Sequence, residues 1–230
     1  ELADQFRSAA TDSQEKLHAA FGLAAMGEAR KEYMHAFLVN AIERPCPGEC
    51  ENFVQALRPA KNLVVDNLVQ REENTSGNLD ARVRCATVLL YLGEPKALNR
   101  FTGLGPNPVE RTAFIHGFPT WHGDPDGLSD LLGRIDDPES RSALCAAIGL
   151  IERDSIPLKA KQSLIGAFKS LYSNAADGGT HGAALSALTR WKTDPPAIDP
   201  RSNPATSDGW FVTEHNLTMV KIHLDPAEPD

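Results

Sequence analysis

Apolar residues recur at three- and four-residue steps over most of the chain, the spacing of amphipathic helices rather than of strands. The clearest instance is DPESRSALCAAIGLI, where Leu144, Ala147, Ile148 and Ile151 share a face flanked by Ala143 and Leu150. Asp137 suits the N-cap and Pro138 the first helical position, where the missing N–H costs nothing. Residues 1–28 read as helix with Leu17, Phe21 and Ala24 on one face and Asp12 as an internal cap or break. Tyr33, Phe37, Leu38 and Ile42 carry the next helix, which a loop at 45–48 ends. Residues 51–72 read as helix through Val54, Leu57, Val64 and Leu68, with a kink at Pro59. REENTSGNLD is a loop, Asp80 caps ARVRCATVLLYLG, and Gly93 with Pro95 stops it. After a short segment at 98–101 and the loop TGLGPNP, Asn107-Pro108 opens a helix that ends before Pro119. WHGDPDG is a turn-rich connection and 128–132 a short helix. Residues 155–172 form another helix through Leu164, Ile165, Phe168, Leu171 and Tyr172, and His181 to Trp191 the last. Only beyond residue 208 does the pattern turn β-prone, at Trp210, Val212, Met219, Val220 and Ile222.

The helices share a signature. A cap is followed four residues later by a base: Asp12/Lys16, Asp80/Arg84, Asn107/Arg111, Asp137/Arg141 and Asp177/His181. Two residues beyond the base stand Ala86, Ala113, Ala143 and Ala183, with His18 breaking the run. A base in a helix's first turns opposes the macrodipole, so a carboxylate must compensate it. The bases recur at intervals of 68, 27, 30 and 40 residues, near the pitch of a two-helix repeat, with room for an extra hairpin in the first interval. A single hairpin cannot bury its apolar face, whereas stacked neighbours can, which predicts an all-α fold of the α-solenoid type.

Composition narrows the function. Of 230 residues 41% are apolar and only 7% aromatic, which suits close helix packing. The net charge of −8 argues against a broad nucleic-acid footprint. No apolar run approaches the roughly 18 residues that a membrane span needs. The N-terminus has no signal-peptide pattern; Glu1 opens a polar amphipathic segment, the expectation for a chain that begins inside a longer cytoplasmic protein. Of four cysteines, Cys85 and Cys145 sit among apolar helical residues as small core side chains. Cys46 and Cys50 lie in RPCPGECEN, where free thiols, a loop disulfide and a metal pair are all open, the first favoured by compartment rules.

LLGRIDDPESRSALCAAIGLIE resembles a HEAT-type repeat, a family in which Asp and Arg side chains stack into a ladder between repeats. The resemblance gives those roles to Asp137 and Arg141; at Lys16 and His181 the family's Arg is absent. NPVERTAFIHGF, DPESRSALCAAIGLIE and SLYSNAADGGTHGAALSALTRW are also similar to a helical region of planctomycete-type bacterial multidomain proteins, between a serine/threonine kinase domain and a formylglycine-generating-enzyme-like domain. GWFVTEHNLTMVKI resembles the opening of that last domain. The implied layout is a HEAT-like helical-repeat domain at 1–194, a Pro-rich linker at 195–208, and at 209–230 the truncated start of a formylglycine-generating-enzyme-like domain. The tail should form an extended pair of short strands, either lying on the last helices or mobile beyond the linker. No Gly-rich phosphate loop, HRD or DFG triplet accompanies these pieces.

Candidate sites weigh little against structural roles. His18, His35, His116 and His181 lie on helices without i, i+4 partners; Glu214-His215 has the wrong order for an iron-binding His-Glu pair. DGGTHG reads as a tight turn into the Asp177 cap, with His181 at the base position. WHGDPDG, with Trp121, His122, Asp124 and Asp126, lacks the spacing of a calcium loop, and an exposed Trp121 would make it a contact site. Trp191 should seal the last repeat, and Glu72-Glu73 and Asp136-Asp137 read as solvated faces or caps. The expectation is a non-catalytic scaffold that binds a protein partner or neighbouring domains, with no nucleic acid and no membrane insertion. No catalytic, cofactor or metal residue is assigned. The alternative is a metal-dependent enzyme with a site assembled across repeats.

Overall fold

The computed structural model describes residues 1–46, 48–103, 105, 107–201, 209–215 and 217–221. Expectations that rest on Ile222, on linker residues 202–208 or on the terminal DPAEPD lie outside the described residues. The chain is predominantly helical. In order come α1 (Leu2–Ser8), α2 (Gln14–Ala25), α3 (Glu32–Ala41), α4 (Cys50–Leu57), α5 (Lys61–Glu73) and α6 (Leu79–Tyr91). There follow α7 (Asn99–Thr102), α8 (Val109–Gly117), α9 (Leu128–Gly133), α10 (Pro138–Gly149), α11 (Leu158–Asn174) and α12 (Gly178–Arg190). Strands β1 (Trp210–Val212) and β2 (Thr218–Val220) pair antiparallel, with Trp210 opposite Val220 and Val212 opposite Thr218. No helix among the described residues is long and apolar enough to cross a membrane.

The caps follow the expected chemistry at Asp137 and Asp177, with three corrections of register elsewhere. Asp137 accepts from Ser140 N at 2.8 Å and Asp177 from Thr180 N at 2.6 Å. Asn107 stands one residue before the N-cap of α8, which is Pro108, and accepts from Val109 N at 3.1 Å. Asp80, however, is not the cap of α6: Asn78 is, taking the N–H groups of Asp80 and Ala81 at 2.9 and 3.2 Å. Asp12 likewise yields to Ser13, which accepts from Lys16 N, while Asp12 instead meets Arg44 at 3.0 Å. Asn, Asp and Ser compete almost equally for an N-cap, so neighbouring candidates are decided by backbone geometry. At Pro59 the expected kink is a full break, a 3₁₀ turn at Arg58–Ala60 separating α4 from α5. Helix α6 ends as expected: Gly93 takes a φ of 88°, its N–H reaches Leu90 O, and Glu94 N reaches Leu89 O.

Two apolar clusters share one wall. The first gathers Leu17, Leu38, Phe53, Leu57, Leu68 and Trp121 from α2 to α5 and the 121 turn. The second gathers Phe114, Leu144, Ile148, Leu164, Phe168 and Trp191 from α8 to α12. Helix α6 gives Cys85, Val88 and Leu89 to the first and Val83, Ala86 and Leu90 to the second. It is buried on nearly all sides, as a central helix must be. Hairpin partners pack as α5 on α6, α7 on α8, α9 on α10 and α11 on α12, while α6, α8, α10 and α12 pack in succession and α9 meets α11.

Beyond α12 the tail takes the first of its two expected placements. Gly209 N donates to Ala176 O at 2.8 Å, and buried Trp210 sends Nε1 to Ala175 O at 2.6 Å. Ile198, within the segment expected to be a linker, packs against the second cluster.

The α10–α12 seam is the tightest helix contact. A methyl placed on Gly149 would lie 2.7 Å from Ala187 Cβ and 3.0 Å from Ala187 Cα, too close to be absorbed without moving a helix. Gly182, inside α12, has open space around the same position. Gly149→Ala should therefore destabilise the protein by about 1–3 kcal/mol. Gly182→Ala should instead gain roughly 0.5–1 kcal/mol from helix propensity. Urea denaturation of the two variants checks both signs, and a stabilised Gly149→Ala would contradict the close seam.

Candidate functional site

Basic side chains tie each successive helix start to the next. Arg82 in α6 is 4% exposed; its Nε donates to Glu72 O at 2.7 Å and its Nη1 to Glu110 Oε1, in the first turn of α8, at 2.8 Å. Arg111 in α8 donates to Thr102 O, to Glu139 O at 3.1 Å and to Ser142 Oγ at 2.8 Å, the last two in α10. Arg141 in α10 donates to Asp177 Oδ2, the cap of α12, at 3.0 Å. The acceptors lie where negative charge suits a helix N-terminus, and they supply what the misplaced bases lack. Behind them Thr102 Oγ1 meets Ser140 Oγ at 2.7 Å, and Ser140 Oγ reaches Asn99 Oδ1 at 3.2 Å, so small hydroxyls satisfy one another inside the seam.

Three of the five expected bases do otherwise. With Asn78 as the cap, the base four residues on is Arg82, and Arg84 turns backward instead. Its Nε and Nη2 donate to Ile42 O and Glu43 O at 2.7 and 2.6 Å, at the C-terminal end of α3, and burial pulls the guanidinium below its ordinary value. Lys16 finds no ladder carboxylate: its Nζ donates to Ala9 O at 3.3 Å and sits 4.9 Å above the Phe6 ring.

His181, at the fifth base position, is fully buried. Its ring lies between Tyr172 and Trp210, with centroid separations of 4.5 and 3.6 Å. Nδ1 lies 2.7 Å from Tyr172 O, a carbonyl that can only accept, so Nδ1 carries the proton. Nε2 faces Thr218 Oγ1 of β2 at 3.3 Å, joining the helices to the tail. Burial lowers its pKa from 6.5, the Tyr172 carbonyl opposing in part.

The remaining histidines are dispersed. His18 pairs with Glu49 at 3.0 Å on the surface, His35 lines a cleft between α3 and α5, and His122 Nδ1 lies 2.7 Å from Gly123 O. His116 lines a cavity of about 390 Å³ with Asp80, Arg84, Thr120, Cys46 and Trp121. Trp121 is buried rather than exposed, its Nε1 donating to Cys46 O at 2.8 Å, so the WHGDPDG turn is pinned to the first cluster. Trp191 is the core residue expected, edge-on to Phe168 at 5.2 Å with Nε1 on Ile151 O. All four cysteines are free and buried. Burial raises the thiols of Cys46 and Cys50 and pushes those of Cys85 and Cys145 up to about 12, so all four stay protonated at neutral pH and are poor nucleophiles. No group of three or more His, Cys, Asp or Glu suited to a metal ion occurs among the described residues.

Two further cavities in the helical part are lined by charged side chains. One of about 580 Å³ is lined by Glu51, Arg58, Tyr91, Asp124, Asp130 and Arg134. The other, about 520 Å³, lies between the end of α5 and the start of α7 and is lined in part by Glu72. Glu72 is 2% exposed, not part of a solvated face. The signal was present: Val64, Leu68 and Glu72 are spaced by four and make the buried stripe of α5. Burial raises the Glu72 carboxyl to about 7 despite Arg100 and Arg82 nearby.

No family model, no curated protein and no solved structure matches this chain.

Arg141→Ala should cost about 1–2 kcal/mol by removing a charged hydrogen bond to the α12 cap, read as a lowered urea midpoint. For His181 the folded pKa lies below the unfolded 6.5, so the folded state binds fewer protons. Its contribution is fully present above the unfolded pKa and is lost as pH falls through 6.5 toward the folded value. The melting temperature should drop across that window in the native chain, and His181→Asn should show a smaller drop. Equal slopes in both proteins would remove His181 from the account.

Proposed function

We propose that the chain is a non-catalytic scaffold of stacked, HEAT-like helical hairpins, an α-solenoid segment that binds a protein partner or holds neighbouring domains apart. The observation that carries this reading is the relay of guanidinium groups from Arg82 to α8, Arg111 to α10 and Arg141 to α12. Helix-to-helix ties of one kind suit a nearest-neighbour stack whose exposed surface is free for recognition. Buried, protonated thiols suit a reducing cytoplasmic setting, and a charge of −8 favours protein over nucleic acid as partner. The resemblance of the sequence 209–222 to the opening of a formylglycine-generating-enzyme-like domain supports a place within a larger bacterial protein that also carries a kinase domain. In that setting the helical part, 1–194, spaces or docks its neighbours and performs no chemistry itself.

Metal content of the purified chain tests the reading. The scaffold predicts less than stoichiometric transition metal, unchanged by Cys46→Ala or His181→Asn. One equivalent of iron or zinc per chain, lost in either variant, would overturn it in favour of an enzyme.

A further inference from the structure

The two edges of the tail hairpin differ. Beside β1 the outer edge is occupied, since Arg201 N donates to Val212 O at 2.7 Å. Strand β2 pairs with β1 alone among the described residues. Thr213 N donates to Leu217 O at 2.9 Å and Lys221 N to Gly209 O at 2.7 Å, so Leu217, Met219 and Lys221 face β1. In an antiparallel ladder the alternate residues, Thr218 and Val220, turn their N–H and C=O groups to the other side. The sequence there is Leu-Thr-Met-Val, without the charge or proline that usually guards an edge against an added strand. Leu217, Met219 and Val220 are 60, 46 and 56% exposed. The side chains of Thr218 and Val220 point toward His181 and Gly178, yet both residues are exposed, so the helices leave room beside this edge. On the opposite face Phe211, Leu217 and Met219 line a cavity of about 610 Å³.

An open edge takes an extended strand, and the charges beside it select which one. Lys221 stands exposed at one end of β2, and the turn that carries exposed Glu214 stands at the other. We propose that β2 pairs antiparallel with β2 of a second copy of this chain, about a two-fold axis at Met219, to form a four-stranded sheet. In that register Thr218 of each copy exchanges N–H···O bonds with Val220 of the other, and the two Met219 side chains meet at the axis. Lys221 of each copy lies opposite Leu217 of the other, beside the turn with Glu214. Opposite charges therefore meet twice by symmetry. A parallel pairing in register would instead set Lys221 beside Lys221 and Glu214 beside Glu214, which disfavours it. A hairpin that is marginal alone gains two further strands. The contact is small, so the association is weak and reversible. The inference goes beyond the scaffold reading, which needs no second copy.

Sedimentation equilibrium of the full chain tests the pairing. The mean mass should rise with concentration toward that of two chains and no further, because the two-fold contact closes on itself. Met219→Lys sets two ammonium groups against each other at the axis and, on an exposed position, touches no core contact; it should weaken association about tenfold or more. Glu214→Lys or Lys221→Glu alone should weaken it about three- to tenfold, and the two changes together should restore it. The charge exchange involves exposed side chains only, so it stays decisive if Met219→Lys disturbs the tail. A chain that remains monomeric up to about 1 mM would overturn the proposal and leave the edge to a strand of another protein. Association that is indifferent to Met219→Lys, or not restored by the double exchange, would overturn it equally.

Discussion

A guanidinium in the first turns of a helix is in the wrong place for the helix dipole, and this constraint organises the middle and end of the molecule. Each such group is stable only if another segment brings oxygen to it. Glu110, the Glu139 carbonyl with Ser142, and Asp177 do so for Arg82, Arg111 and Arg141. Every acceptor sits at the start of the following helix of the row, so satisfying the charge also fixes which helix comes next and how far along it lies. Small residues then let the helices close on that register: Ala143 and Ala147 are fully buried in α10, and Gly149 faces Ala187 across the seam. The charged ties supply specificity, while burial of Leu144, Ile148 and Leu188 supplies most of the free energy, about 1.5–3 kcal/mol per side chain.

Helix α6 shows how the two halves of the chain are joined. It carries two arginines two positions apart, and they serve opposite neighbours. Arg82 points forward to α8, and Arg84 reaches back to the carbonyls that end α3, where a cation is favoured by the dipole. The same helix divides its apolar residues between both clusters. A substitution on α6 is therefore felt on both sides, whereas one on α11 reaches a single cluster.

Much of this was legible in the chain because it is local. The helices, the caps at Asp137 and Asp177, the Gly93 stop and the buried Trp191 follow from spacing and from what each residue type does to a backbone. What could not be read was decided between near-equal local choices or by distant segments. Asn78 and Asp80 cap about equally well, and the wrong choice made Arg84, not Arg82, the expected ladder base. Trp121 is buried because Cys46, 75 residues earlier, accepts its N–H, and nothing in WHGDPDG announces that. Glu72 was misread although its stripe with Val64 and Leu68 was visible, since a carboxylate at a core position is rare enough that residue type outweighed periodicity.

His181 is the exception that the dipole constraint explains. Arg141 can lie in the seam because Asp177 follows it, but no further helix start lies beyond α12 among the described residues to accept from a base there. A guanidinium at that position would be a permanent charge with no carboxylate to meet it. Imidazole avoids the penalty because it can be neutral: it gives one proton to the Tyr172 carbonyl and leaves Nε2 as an acceptor for Thr218. Neutral, it can be covered, and Tyr172 and Trp210 close on its two faces. The short hairpin then has a reason to rest where it does, since Trp210 and Val212 need an apolar surface and the last helix pair needs its end sealed. One substitution in a repeating pattern, base to imidazole, thus marks where the row of tied helices gives way to the tail.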